Sequence, residues 1–166
     1  MKRPILSMLL SVLLLLPGCT QAPSGSSQEE GLTVLATTYP VYLFARTVAQ
    51  GVEGVTVERL NTGEVSCLHD YTLTVAQMEK IEGAQLVLES GLGLEDFMED
   101  ALQTAKQTIT ASTGVETLPG EDGDDPHIWL DPANAIRMCR NIADGLSAVY
   151  PDKQAQIAQN LQSVTA

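Results

Sequence analysis

The sequence is poor in aromatic and basic residues, and it holds only two histidines and three cysteines. Aromatic side chains make up 4% of the 166 residues, and nine Lys and Arg residues stand against 21 Asp and Glu residues. The resulting net charge of -12 argues against a nucleic-acid partner, because carboxylates and phosphates repel each other. The same balance is compatible with a soluble exposed surface or with the capture of cations.

The first 31 residues are typical of an exported and anchored protein. Two basic residues precede a short apolar run that cannot span a bilayer, so residues 1–18 are predicted to be a signal peptide. The run ends in "LPGC", which resembles a bacterial lipobox and predicts diacylation of Cys19. Ordinary secretory cleavage that leaves Cys19 unmodified is the alternative. Residues 19–31, rich in Ser, Gly, Pro and Gln, are predicted to form a flexible tether.

Apolar strands alternate with amphipathic helices from residue 32 onward. The predicted strands are "LTVLATT", "VTVERL", "QLVLES" and "TITAS", and the segments between them repeat apolar residues at helical spacing. This order predicts right-handed crossovers and an α/β fold, with a mostly parallel sheet flanked by helices. We expect one domain over residues 32–150, followed over 151–166 by the start of a further helix whose pattern is expected to continue beyond the last residue.

Local signals place the starts of two helices. Thr74 to Gln77 fits a capping box, and the helix that follows is predicted to turn Val75, Met78 and Ile81 inward. Asp131 is predicted to cap a long helix that begins with a proline and ends near residue 150.

The three cysteines permit at most one disulfide if Cys19 carries lipid, between Cys67 and Cys139. Cys139 shares a helical apolar stripe with Ile142 and Leu146, which favours burial in the core over a disulfide bridge.

Both histidines lie in predicted loops beside helix starts. His69 follows the second strand, and ligands of parallel sheets bind beyond the carboxyl ends of strands. In an extended segment His127 and Trp129 would point one way, with Ile128 and Leu130 inward. A lone histidine in a loop is often only a cap or a surface hydrogen-bonding group, so spacing alone leaves a metal role open.

Three segments resemble a known family: "TTYPVYLFARTVAQGV", "CLHDYTLTVAQMEKIEGAQLVLESGLGLEDFM" and "DPHIWLDPANAIRMCRNIADGLS". Together with the lipobox they resemble the cluster A-I, or zinc-uptake and TroA-like, lipoproteins that bind substrate for zinc and manganese ABC importers. The resemblance covers the chain from residue 32 onward, although Leu68 stands where the family typically has a proline. It implies that His69 and His127 are metal ligands. It also implies two lobes joined by a long helix, of which this chain would supply the N-terminal lobe and the beginning of that helix.

Residues near the histidines have two interpretations each. Cys67 could add a thiolate to the metal or could be a small buried residue. Asp70 could orient a ligand from behind it or could cap a turn. The acidic run at 121–125 could collect cations weakly, although a solvated loop is the simpler interpretation.

The leading hypothesis is therefore an extracytoplasmic, lipid-anchored and monomeric protein that captures Zn2+ or Mn2+ and delivers it to an ABC permease. Such a protein needs no catalysis, and the sequence has no H-E-x-x-H, G-x-S-x-G or P-loop motif. One alternative is a zinc hydrolase that uses His69, His127 and a carboxylate, with an open position for water. Another is a surface adhesin, a label sometimes attached to this family.

Overall fold

The computed structural model describes residues 31–61, 72–120 and 123–165. Within these ranges four strands alternate with helices, and three short 3-10 turns lie between them. The strands are β1 (Leu32–Ala36), β2 (Val55–Arg59), β3 (Leu86–Glu89) and β4 (Thr108–Thr110). The helices are α1 (Tyr39–Val48), α2 (Val75–Gly83), α3 (Glu99–Leu102), α4 (Pro132–Val149) and α5 (Gln154–Thr165). The 3-10 turns are Asp96–Met98, Ile128–Leu130 and Pro151–Lys153.

The four strands form one parallel sheet in the order β2-β1-β3-β4. Side chains of a strand alternate between the faces of the sheet, and here both faces are apolar. Val34 and Leu88 belong to the larger core cluster, whereas Leu35 and Val87 belong to the smaller one on the other face. A parallel sheet covered on both faces needs such continuous apolar strands, so the predicted α/β fold class is confirmed.

Helices α1, α4 and α5 pack together and cover the larger core. Helix α4 contributes Met138, Cys139, Ile142 and Leu146, at most 1% exposed each, along a stripe with helical spacing. Cys139 is a free thiol, and its burial raises its pKa to about 11. The prediction that Cys139 belongs to the core is confirmed.

Two helix starts lie where the sequence places them. Thr74 and Gln77 form both hydrogen bonds of a capping box at the start of α2. The Asp131 carboxylate accepts hydrogen bonds from the backbone N–H groups of Ala133 and Asn134, at 2.7 and 3.0 Å, and so caps α4. Each cap satisfies donors that a helix leaves unpaired at its first turn.

The inward face predicted for α2 is wrong at two of its three positions. Ile81 is fully buried, but Val75 is 66% exposed and Met78 is 43% exposed. The helix has only nine residues, and its one buried residue is Ile81, so its first turns lie beyond the edge of the smaller core. The segment between β3 and β4 has apolar residues at helical spacing, but it is not one continuous helix. It is a 3-10 turn followed by four residues of α-helix.

None of the helices in the described ranges is both long enough and apolar enough to cross a membrane.

Candidate functional site

Burial of polar side chains marks one edge of the sheet. Among the residues that the structure describes, every buried polar or charged residue lies just beyond the carboxyl end of β1, β3 or β4. They are Thr37, Thr38, Ser90, Glu95 and Ser112. Burying a polar group without a partner costs free energy, so such a concentration is uncommon in an ordinary apolar core. The carboxyl edge of the sheet is therefore the candidate location of a binding site.

Glu95 is the charged member of this set, and it is 5% exposed. One carboxylate oxygen, Oε1, accepts hydrogen bonds from the Thr37 hydroxyl at 2.6 Å and from the backbone N–H of Ser90 at 2.8 Å. The other, Oε2, accepts the backbone N–H of Gly91 at 2.9 Å. Burial raises the pKa of Glu95 despite these three bonds, and the nearby charge of Glu89 adds to the effect.

The three residues after Ser90 all have backbone dihedrals in the left-handed region. Their φ angles are +86° at Gly91, +57° at Leu92 and +80° at Gly93. Leu92 is the only non-glycine residue with positive φ in the described chain, and this conformation costs an L-residue about 1–2 kcal/mol. The surrounding structure therefore holds this segment in a conformation that an isolated chain would avoid.

His127 lies in the chain between β4 and α4, directly before the Ile128–Leu130 turn. Its ring Nδ1 lies 2.8 Å from Oδ1 of Asp125, and the same oxygen accepts the backbone N–H of His127 at 2.9 Å. These hydrogen bonds lower the pKa of Asp125, the backbone bond first and the side-chain bond second. The His127 side chain is nevertheless 60% exposed, so the ring is oriented without being enclosed.

The bond to Asp125 selects one tautomer of the neutral imidazole. A carboxylate accepts only, so Nδ1 must carry the proton that it donates to Asp125. Nε2 then keeps its lone pair and is the nitrogen available to a metal ion. Histidines that bind metals in proteins usually donate their other ring nitrogen to a carboxylate or carbonyl in this way.

A cavity of about 660 Å³ separates His127 from the segment that follows β3. Leu92, Asp96 and Phe97 line it from the segment after β3, and Asp124, Asp125 and His127 line it from the segment before α4. A second cavity of about 500 Å³ reaches His127 from the side of α4 and includes Leu130 and Arg137. His127 therefore faces open space on two sides, and three carboxylates line the larger space.

The described ranges supply one of the two predicted metal ligands. They contain no group of three or more His, Cys, Asp or Glu side chains placed to hold a metal ion. His69, Cys67 and Asp70, like Cys19, lie outside the described residues, so their predicted roles stay predictions. His127 is a chemically suitable ligand that needs partners from elsewhere, since a closed zinc site takes four ligands.

The predicted orientation of the residues after His127 is partly wrong. Ile128 is buried at 5% exposure as expected, but Leu130 is 77% exposed. The segment is a 3-10 turn instead of an extended strand, so the alternation of period two does not apply. Trp129 packs partly against the core, and its ring centroid lies 5.3 Å from that of His127.

Sequence reasoning missed two carboxylates of this region, Asp125 and Glu95. Asp125 lies two residues before His127, and aspartates commonly accept the backbone N–H two residues on, so this signal was available. Glu95 lies among Leu94, Phe97 and Met98 on an apolar segment, where a charged residue needs partners if it is buried.

Comparison with known proteins matches the chain to one family. The family model ZnuA, described as zinc-uptake complex component A, periplasmic, matches residues 34–166. The zinc-binding lipoprotein AdcA of Streptococcus pneumoniae is 32% identical over 159 residues, which cover 84% of this chain and 31% of that protein.

Solved structures share the fold. The Zn(II)-bound ZnuA-like domain of Streptococcus pneumoniae AdcA has a TM-score of 0.70 and 33% identity, and covers 81% of this chain and 50% of that one. A manganese-bound mutant of a periplasmic metal-binding protein from Candidatus Liberibacter asiaticus has a TM-score of 0.72 and 26% identity, and covers 81% and 51%. The chain thus spans about a third of the length of the AdcA lipoprotein and about half of each solved chain.

Proposed function

We propose a function for this chain on the premise that it belongs to the ZnuA family of zinc-uptake components. The chain captures a divalent transition metal, Zn2+ or Mn2+, outside the cytoplasm and passes it to an ABC permease in the membrane. The metal is the cargo of this process, and no bond of a substrate is broken. Relatives whose names state zinc binding, and a structural neighbour that holds manganese, support both ions as cargo.

The observation that carries this proposal is the hydrogen bond between Asp125 and His127. It leaves Nε2 of His127 free, at a cavity lined by further carboxylates. An exposed, oriented imidazole is suited to taking up an ion and releasing it again, because the ligand needs no rearrangement at either step.

His69 is the second proposed ligand. It lies in the connection from β2 to α2, and Gln77 of α2 donates a hydrogen bond to the carbonyl of Leu60, just past the end of β2, at 3.4 Å. The two described ends of this connection therefore lie near each other past the carboxyl end of β2, which supports the choice of His69. The remaining ligands would come from a second lobe, as in proteins that close two lobes around a ligand.

The further assignments follow from the sequence. Cys19 carries a lipid that anchors the protein to the outer face of the cytoplasmic membrane, and 19–31 is its tether. Residues 32–150 form the N-terminal metal-binding lobe, and α5 begins the helix that leads to the second lobe. The protein acts as a monomer, and a zinc hydrolase is not favoured, because the function needs binding and release alone.

Titration with Zn2+ and Mn2+ tests the proposal. Two ligands supply only part of a coordination shell, so we expect the purified chain to bind with a Kd of about 1 µM or weaker. His127→Ala and His69→Ala should each weaken binding at least tenfold, since each removes one ligand. Isothermal titration calorimetry measures these values.

The control is Asp152→Asn, which removes an exposed carboxylate from the 3-10 turn before α5 and should leave binding unchanged. Binding that survives both histidine substitutions would refute the proposed site. Metal-dependent hydrolysis of an ester that is lost in His69→Ala would favour the enzyme instead.

A further inference from the structure

We propose that Glu95 is a positioning residue for metal capture, because its carboxylate fixes the wall of the cavity that faces His127. The inference rests on the function proposed above and adds a residue that touches no metal itself.

The contacts of Glu95 cross between two strands. Thr37 extends β1 and Ser90 extends β3, and the Glu95 carboxylate accepts a hydrogen bond from each. The two central strands of the sheet are thus joined at their carboxyl ends by a single buried side chain. A carboxylate can do this because each of its oxygens accepts hydrogen bonds in more than one direction.

The same carboxylate restrains the segment that lines the cavity. Its second oxygen accepts the N–H of Gly91, the first of the three consecutive residues with positive φ. Glu95 lies four residues further along, so the hydrogen bond closes the segment into a loop. Leu92, Gly93 and Leu94 of this loop line the same cavity as His127, and Asp96 and Phe97 directly after it line the cavity as well.

Strand order places β1 and β3, the two strands that Glu95 joins, at the centre of the sheet. His69 belongs to the connection that follows β2, and His127 follows β4, while β1 and β3 lie between these strands in the sheet. An ion bound by His127 at the cavity would lie beside the loop that Glu95 closes. Glu95 fixes the carboxyl ends of β1 and β3, and a shift of the loop would change the space available to the ion.

Glu95→Gln separates the shape of the side chain from its ability to accept hydrogen bonds. Glutamine has nearly the same size, but it replaces one carboxylate oxygen with an NH2 group. If the amide oxygen of the glutamine keeps the bonds to Thr37 and Ser90, the amide NH2 group faces the N–H of Gly91. Both of these groups are donors, so no hydrogen bond forms between them. The loop then loses the bond that closes it, while the packing around Leu94 and Met98 is retained.

The experiment compares Zn2+ affinity with stability in the full chain. Two-dimensional NMR follows the ring signals of the two histidines during a Zn2+ titration, and circular dichroism follows thermal unfolding. At a temperature where each variant is folded, we expect Glu95→Gln to bind Zn2+ more weakly by up to about tenfold, since Glu95 touches no ligand and should cost no more than the weakest partner of a metal ligand. Glu99→Gln, which removes an exposed charge four residues away, should bind within about twofold of the original chain.

If Glu95 has a purely structural role, Glu95→Gln lowers the unfolding temperature and leaves the Zn2+ affinity of the folded chain unchanged. That result would overturn the proposal. If Glu95→Gln fails to fold, Thr37→Val removes one donor at nearly constant volume and should weaken Zn2+ binding about threefold. Unchanged affinity in folded Thr37→Val would then overturn it. When both variants fold, a combined loss smaller than the product of the single losses supports action through their shared hydrogen bond.

His127→Ala distinguishes the two proposals. Loss of binding in His127→Ala together with full affinity in Glu95→Gln would refute the positioning role and leave the proposed function standing. Absence of Zn2+ binding by the original chain would refute both.

Discussion

Two carboxylates at the same edge of the sheet show opposite behaviour. Glu95 is 5% exposed, and burial raises its pKa, whereas the half-exposed Asp125 has its pKa lowered by hydrogen bonds from His127. Glu95 accepts hydrogen bonds from two backbone N–H groups and one buried hydroxyl, while Asp125 orients the side chain of His127. The pair shows how a binding site can combine a rigid frame with an exposed and readily accessible ligand.

The difference follows from the solvent around each group. A buried carboxylate loses its hydration and recovers only part of it from its donors, so it favours the protonated form. An exposed carboxylate keeps its hydration and gains the donors as well. The opposite pKa shifts of Glu95 and Asp125 therefore have one physical origin, the depth of each group below the surface.

The largest expected effect tests the rigid side of this comparison. An alanine Cβ at Gly91 would lie 2.6 Å from Cγ2 of Thr110 and closer still to Oγ of Ser112, at a φ of +86°. We expect Gly91→Ala to lower the free energy of unfolding by about 3 kcal/mol, from the unfavourable φ and the overlap together. Urea denaturation measures this value.

Gly51→Ala is the matched control for that substitution. Gly51 also has a positive φ, +67°, but an added Cβ would meet no atom within 4 Å. Its cost should be about 1 kcal/mol, from the backbone conformation alone. Equal losses in the free energy of unfolding for Gly51→Ala and Gly91→Ala would show that the overlap with Thr110 and Ser112 adds nothing to the cost at Gly91.

The next effect tests the exposed side. Asp125→Asn removes the negative charge that orients His127, and we expect Zn2+ affinity to fall about tenfold while the free energy of unfolding changes little, because the group is exposed. Calorimetric titration and urea denaturation give the two numbers. Asp124→Asn removes the same charge at the same cavity, so a similar loss there would assign the effect to net charge instead of orientation.

The smallest effect is a difference in pH dependence. The pKa of Glu95 is raised above its ordinary value of 4.5, so its contribution to stability is fully present below that value and is lost as the pH rises through the folded-state pKa. The pKa of Asp125 is lowered from 3.8, so its contribution is present above that value and is lost as the pH falls through the folded-state pKa.

Unfolding measured across this range should therefore give opposite slopes. The stability of the original chain minus that of Glu95→Gln should decrease as the pH rises above 4.5, the ordinary pKa of a glutamate. The stability of the original chain minus that of Asp125→Asn should increase with pH at the acidic end of the scale. The increase should be small because the carboxylate of Asp125 is exposed. Slopes of the same sign would contradict the assignment of one buried and one exposed carboxylate.

Periodicity and capping residues were sufficient to predict the frame of the molecule. Alternation of strands and helices predicts the parallel sheet, the capping box predicts the start of α2, and Asp131 with Pro132 predicts the start of α4. These signals are local, because a cap or an apolar repeat involves residues within one or two turns of each other.

Predictions failed where burial depended on distant neighbours. Val75 and Met78 have helical spacing but no core to cover, and Leu130 is exposed because a 3-10 turn replaces extended chain. His127 was correctly assigned to a loop, and its bond to Asp125 supports the role that the family resemblance implies.

The sequence by itself determined the α/β class, the family, the acidic character of the chain and the presence of two histidines as candidate metal ligands. These properties depend on composition, on motifs and on periods of a few residues. Only the tertiary structure decided that Glu95 is buried and joins β1 to β3, because its partner Thr37 lies 58 residues away in the chain and reaches it through the pairing of β1 with β3. Hydrogen bonds between such distant groups depend on how the strands order in the sheet, and no local pattern encodes that order.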